Sequence, residues 1–379
     1  MYIEICKDII DDAIAKSGSE VNISLDLLRL MAFFSSKGNH IVSVPCLLNN
    51  NALNKELGAV MGSSSVRKLR RSGEYFYKLQ TLKPTLSTYC IVSFSNDNLQ
   101  DDRAIIYNPT RMLQFEPFLQ TKLITENLLD AVFFNYIAHF YCKKMLFNGI
   151  EIRFEATPGG GSTTCDVVRH EILEEKRFCL VIVDGDKKCP KQKECGDTAK
   201  KIINVINQYP SKVCKHYVME KVMEVENLIP KRIVRMYASE KNGCDVLDRD
   251  VSFYDMKIGL TLKGLYRDDV FRYQSKVFPE LNYIQRNEAK KNTRCQDKYN
   301  QYIDDHHLTN VLKKGFGSDL LKIVTCTCDD KGRIKYPELK NVMMNEINTA
   351  DLTVEQKEEW DRIGHLLFSW ACGLPSKHY

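Results

Sequence analysis

The sequence lacks the features that would carry a chain into a membrane or out of the cytosol. Residues 1–16, MYIEICKDIIDDAIAK, bear charges throughout, so the apolar core of an export signal is missing and the stretch reads as an amphipathic helix. No apolar run approaches the ~20 residues that span a bilayer. The longest candidate, 128–147, contains Asp130, His139, Lys143 and Lys144 and suits a core helix. Fourteen cysteines without an export signal argue for reduced thiols rather than a disulfide framework. The expectation is a cytoplasmic protein with no membrane role. Internal repeats and low-complexity segments are missing as well. The charge excess is small: a formal +5 permits a nucleic-acid partner without demanding one.

What is present is an ordinary globular composition, 44% hydrophobic and 27% charged over 379 residues, enough for two or three domains. Three zones differ in texture: a mixed α+β region over 1–147, alternating strands and helices over 148–258, and a more polar helical region over 259–379. In the first, SSSVRKLRRSGEYFYK (63–78) sets Arg67, Lys68, Arg70 and Arg71 beside Tyr75, Phe76 and Tyr77. Such a cluster can hold phosphates and stack on bases, but a solvated helix face with core aromatics accounts for it more simply. In the last, Trp360, Ile363, Leu367 and Trp370 form a helical stripe that reads as core.

The central zone carries the chemistry. GIEIRFEA (149–156) alternates Ile150, Ile152 and Phe154 as a strand does, and a turn-rich TPGGGSTT and a helical CDVVRHEILEEKR follow. CLVIV (179–183) is a continuous apolar strand of the kind covered on both faces. GDTAKKIINVINQY (196–209) places Ala199, Ile202, Ile203 and Ile206 on one helix face, and HYVMEKVMEVENLIP (216–230) supplies further strand text. The order β-α-β-α-β implies a mostly parallel sheet, whose ligand sites gather at the carboxyl ends of the strands.

Three acidic residues are expected there. Glu155 would end one strand, and Asp184 and Asp186 the next; period-2 geometry turns both aspartates to one side if the chain stays extended. If the strands are neighbours the carboxylates converge, and two charges ~4 Å apart repel by roughly 4 kcal/mol at an effective dielectric of 20. A cation relieves that repulsion. Hard oxygen ligands suit Mg2+ or Mn2+, which makes metal-assisted phosphoryl chemistry the natural expectation.

The segment IRFEATPGGGS…CLVIVDGDKK resembles the TOPRIM domain of topoisomerases, primases and certain nucleases: a strand ending in Glu, a Gly-containing loop, a helix, and a strand ending in Asp-x-Asp. VMEVENLIP, with Glu224, Glu226 and Asn227, further resembles the acidic segment of TOPRIM nucleases of the OLD (overcoming lysogenization defect) type, whose relatives serve in bacterial anti-phage defence. The likeness covers about 110 residues. TOPRIM sequences often carry a small residue and an Asp after the Glu, whereas the loop here is longer and lacks that Asp.

The resemblance implies that Glu155 binds metal or acts as general acid/base, that Asp184 and Asp186 hold an ion, and that Glu224 or Glu226 serves a second one. Lys257, with Lys187 as its rival, would steady transition-state charge. The implied protein is a Mg2+-dependent (or Mn2+-dependent) nuclease cutting DNA or RNA, a defence effector acting with a separately encoded ATPase subunit, and possible as a homo-oligomer. The alternatives are a non-catalytic partner- or nucleic-acid-binding protein with a degenerate site, or another DxD metal enzyme of phosphotransfer or glycosyl transfer.

Other motifs fall short of their templates. PGGGSTT has no Lys before Ser162, so no phosphate loop or NTPase activity is expected. Cys189, Cys195, Cys214 and His216 are spaced unlike a structural zinc site, as are Cys326 and Cys328; His306–His307 reads as a polar loop pair.

Overall fold

A computed structural model describes residues 1–77, 82–95, 101–116, 119–238, 244–279, 281, 283–291, 293, 295–308, 310–325 and 337–375. The chain forms two compact units. The first comprises 1–181, 204–217 and 362–379, and the second 182–203 and 218–361.

The first unit is α/β and holds two four-stranded sheets. β1 (Tyr2–Ile5), β2 (Ile41–Ser43), β3 (Tyr89–Val92) and β4 (Ala104–Tyr107) lie in the order β2-β1-β3-β4, with every pairing parallel. Helices Lys7–Ala15 and Ile23–Ser35 separate β1 from β2. The mixed α+β texture expected over 1–147 is therefore corrected to a parallel α/β layer, in which helices separate β1 from β2 and β2 from β3 along the chain. The basic cluster lies on the helix Ser63–Tyr77, where Val66 and Leu69 are buried and Arg67 and Arg71 exposed. The side chains of Tyr75, Phe76 and Tyr77 lie outside the described residues.

The second sheet is the one that positions the acidic residues. Its strands are β5 (Thr121–Thr125), β7 (Phe154–Pro158), β8 (Cys179–Val183) and β9 (Cys214–Val218), in the order β7, β5, β8, β9; the short β6 (Glu151–Ile152) just ahead of β7 lies outside it. β5 is parallel to both β7 and β8. Bonds from Cys179 N to the Val213 carbonyl and from Met219 N to the Val183 carbonyl advance in one direction, so β9 is parallel too. All five residues of CLVIV are buried, as a strand with a neighbour on each side requires. Between β5 and β7 runs the helix Leu128–Lys144, opened by a reciprocal Asn127–Asp130 capping box and closed by Lys143 and Lys144 at its negative end. The helix Asp197–Gln208 buries Ala199, Ile202 and Val205, while Ile203 and Ile206 are half-buried. The sheet expected within 148–258 thus draws its second strand from residues 121–125.

The second unit carries β10 (Gly259–Thr261) and β11 (Val311–Lys314), an antiparallel pair with an irregularity at Leu260/Thr261. Its core is fastened by polar bonds around a single-turn segment, Val225–Leu228. Trp360 Nε1 donates to the Leu228 carbonyl, and Gln356 Nε2 to the carbonyls of Asn227 and Ile229. Asn227 Nδ2 in turn donates to the carbonyls of Val251 and Tyr254. The stripe Trp360, Ile363, Leu367 and Trp370 is wholly buried, as its spacing indicated. β12 (Cys372–Gly373) then pairs antiparallel with β6, so the region after 258 is not helical throughout. No helix among the described residues is long and apolar enough to cross a membrane.

Candidate active site

β8 delivers its last residue, Val183, and the chain then turns sharply. Gly185 is buried, and a Cβ there would stand 2.1 Å from the Met219 carbonyl oxygen, so only glycine fits. Asp186 takes the left-handed conformation, φ +51°, which Asp tolerates better than most residues. Its N–H donates to the Met223 carbonyl at 2.9 Å. Gly196 must also be small, since a Cβ there would be 2.1 Å from Asp186 Oδ2. The two aspartates therefore do not share a face by strand alternation; the expected extended geometry is replaced by a turn.

That turn is tied to the acidic segment 224–227. Asp184 Oδ1 accepts from Val225 N at 3.0 Å. Glu224 caps the short turn, with its N–H donating to Asn227 Oδ1 and its Oε1 accepting from Met256 N at 3.1 Å. Glu224 and Glu226 are 5% and 4% exposed. Between them stands Lys257, whose Nζ lies 3.0 Å from Glu224 Oε2 and 3.2 Å from Glu226 Oε2. Lys187, its rival, forms no ion pair with a described residue.

The electrostatics show a deficit of positive charge. Burial and the neighbouring Glu226 push the Glu224 carboxyl up to about 7, although Lys257 pulls it back. Burial also raises Asp186, against the pull of Lys257 and Lys188 and with help from Asp197 and Asp255. The ammonium of Lys257 is opposed by burial, yet Glu224 and Glu226 hold it protonated well above its usual range. Both partners of the ion pair are thus shifted upward, which is what one cation shared among too many buried carboxylates produces. Among the described residues, no three His, Cys, Asp or Glu side chains stand gathered as a ready metal site. Lys257 holds the position between the glutamates that an ion would compete for.

Glu155 is not brought to this cluster. It is the second residue of β7 rather than the end of a strand, and β5 separates β7 from β8. Register pairs Glu155 with Lys122, and Lys122 with Cys179, the first residue of β8. Asp184 follows the last residue of that strand, about 16 Å further along at ~3.3 Å per residue. Glu155 instead meets Arg177, Nη1 to Oε2 at 2.5 Å, on the surface of the first unit.

A carboxylate that does end a strand, and that the sequence reading passed over, is Glu126. It directly follows Thr125, the last residue of β5, and β5 is the strand bonded to β8. The Gly-rich loop fixes this strand end. Gly159 N donates to the Thr125 carbonyl at 2.7 Å, and Gly160 N and Gly161 N donate to the Glu126 carbonyl at 2.9 and 3.3 Å. Those amides, which a phosphate loop needs free, are occupied. The signal for Glu126 was present in TKLITEN, a strand-acid-cap pattern of the same kind as the one quoted for Glu155.

Cys189 and Cys214 are buried free thiols, Cys195 is a half-buried one, and Cys326 and Cys328 lie outside the described residues. His306 stacks on Tyr302, and its Nδ1 lies 3.0 Å from that residue's carbonyl. No protein-family model, no curated protein and no solved structure matches the chain.

Proposed function

We propose that the chain is a divalent-metal-dependent nuclease whose centre is the cluster Asp184, Asp186, Glu224, Glu226 and Lys257. The observation that carries the reading is the pair of deeply buried glutamates sharing one ammonium beside the Asp-x-Asp turn. Asp184, Asp186 and one or both glutamates would hold Mg2+ or Mn2+, and the ion when bound supplies the Lewis acidity that phosphodiester hydrolysis needs. Lys257, relieved of part of its ion pairing, would offer its ammonium to a phosphate oxygen. Glu224, with its carboxyl near 7, can take up or release a proton at neutral pH, which suits a general acid or base. The strand-end role that the TOPRIM resemblance assigned to Glu155 we assign instead to Glu126, which follows β5, the strand paired with β8. A defence effector working with a separate ATPase remains the cellular setting we propose, and a neighbouring ATPase gene would support it.

The test is cleavage of labelled single- and double-stranded DNA and RNA with Mg2+, Mn2+ or EDTA, by the wild type and Asp184→Asn. Metal-dependent cleavage lost in the variant supports the reading; equal cleavage by both refutes it. One observation favours a second reading. Lys257 already neutralises the glutamates, as a permanent replacement for the ion would in a non-catalytic binding protein. Calorimetry decides between them: absence of Mg2+ and Mn2+ binding, with or without nucleic acid, favours the binding protein.

A further inference from the structure

Beside the carboxylates the second unit contains a cavity of about 230 Å3. That is below the roughly 300–1,000 Å3 of sites for drug-sized ligands, and it suits one planar ring system. Its apolar wall comes from Met223, Phe253, Leu260 and Val270, all buried. The Phe253 ring is held edge-on by Tyr273, with ring centroids 5.7 Å apart at 90°. Through the wall comes a buried polar group, Gln274, which is 2% exposed. Its Nε2 donates to the carbonyls of Phe253, at 2.8 Å, and Lys188, at 3.3 Å. Both amide protons are spent on those carbonyls, which fixes the amide orientation and leaves Oε1 as the acceptor for whatever enters. Oε1 has no partner among the described residues. Asp255 lines the same cavity; its Oδ1 accepts from Lys257 N and Ile258 N, and its carboxylate adds a second acceptor.

We propose that this cavity seats a nucleobase, and preferentially one with an exocyclic amine. An apolar wall with an aromatic ring stacks a base, and the buried Gln274 Oε1, its amide fixed, selects an N–H group, while Lys188, Thr261, Lys263 and Gln296 bring donors to the same lining. The position fits. Met223 precedes Glu224 and its carbonyl accepts from Asp186 N, while Asp255 stands two residues before Lys257. A base in the cavity would place its own phosphate beside the carboxylates. Only that last placement rests on the nuclease reading; the pocket itself does not.

The experiment therefore separates the two. Binding of AMP, CMP, GMP and UMP to the full chain is measured by calorimetry in EDTA, where cleavage is suppressed. AMP, CMP and GMP are expected to bind about tenfold or more tightly than UMP, because UMP lacks the amine. Val270→Phe, which fills the cavity and leaves every acidic residue in place, is expected to weaken that binding about tenfold while thermal unfolding stays cooperative. Gln274→Leu should remove the preference over UMP; because Gln274 also holds two carbonyls, Val270→Phe carries the decision if the Leu variant does not fold. Nucleotide binding that Val270→Phe blocks, in a protein that cuts nothing, upholds the pocket and refutes the nuclease. Cleavage with no nucleotide binding, or with binding indifferent to Val270→Phe and to the base, overturns the pocket and leaves the nuclease standing.

Discussion

Lys257→Met keeps most of the aliphatic stem and removes the ammonium facing Glu224 and Glu226. At 3.0 and 3.2 Å each contact corresponds to about 5 kcal/mol of gross attraction at an effective dielectric near 20. Breaking a buried pair by removing one partner costs about 3–5 kcal/mol net. Lys257 is 36% exposed, so solvent screening reduces the expected loss to about 2–3 kcal/mol at pH 8. The loss should depend on pH. In the wild type the Glu224 carboxyl rises from 4.5 in the unfolded chain to about 7 in the fold. The folded state therefore holds a proton that the unfolded state has released, and stability is greatest below 4.5 and falls as pH climbs through 7. Without Lys257 the carboxyl rises further, which deepens the loss above neutrality. At pH 5 Glu224 is protonated in both folded proteins, and most of the difference closes. Urea unfolding at pH 5 and pH 8 measures this directly. Mg2+ should restore the variant at pH 8 by taking the place of the ammonium, by about 2.7 kcal/mol at a hundredfold excess over Kd. An equal loss at the two pH values would mean that Lys257 acts by packing and not by charge. No effect of Mg2+ on the variant would remove the claim that these carboxylates accept a cation.

Asp184→Asn keeps an acceptor for Val225 N, so its thermal midpoint should stay close to wild type while cleavage falls about a hundredfold or more; a large drop in midpoint would mark the residue as structural. Glu155→Gln loses only a surface pair with Arg177, and should change stability by under ~1 kcal/mol and leave cleavage unaltered. Glu126→Gln should impair cleavage at similar stability, and the reverse ranking in a side-by-side nuclease assay would return the role to Glu155. Gly185→Ala drives a methyl to 2.1 Å from the Met219 carbonyl and should cost about 2 kcal/mol or more in chemical unfolding; an unchanged midpoint would show that the turn is not as tight as described.

The elements with a strong period were legible in the sequence. CLVIV had no polar interruption and became the strand buried on both sides, and the helix over 197–208 buried Ala199 and Ile202 of the stripe its spacing laid out, with Val205 in place of Ile203 and Ile206, which are half-buried. Strand order was not legible, because hydrogen bonding between strands leaves no trace in the order along the chain. β5 inserts between β7 and β8, and the register sets Glu155 level with the start of β8 and not with its end. The left-handed turn at Asp186 was hidden for a different reason: DGD satisfies an alternating pattern as well as it satisfies a turn, and the deciding clash is with Met219, 34 positions after Gly185. The meeting of Lys257 with Glu224 and Glu226 depends on Glu224 accepting from Met256 N, a bond between segments 32 residues apart. Residue types announced the acidic chemistry; the contacts that fix it are long-range.

The pairing of β6 with β12 joins Ile152 to Cys372 and Glu151 to Gly373. The core beside it mixes Tyr2, Ile41 and Tyr89 with Phe368, Cys372 and Leu374. During synthesis, at about 5–20 residues per second, more than two hundred residues must emerge after β6 before its partner exists. The first unit is therefore left with an unsealed apolar face until residues 372 and 373 have emerged, and its closure waits on that long-range pairing. A ribosome paused anywhere between residues 153 and 371 holds a protein whose earliest strands are made but whose core cannot yet shut, and that interval is when the nascent chain has most need of a chaperone.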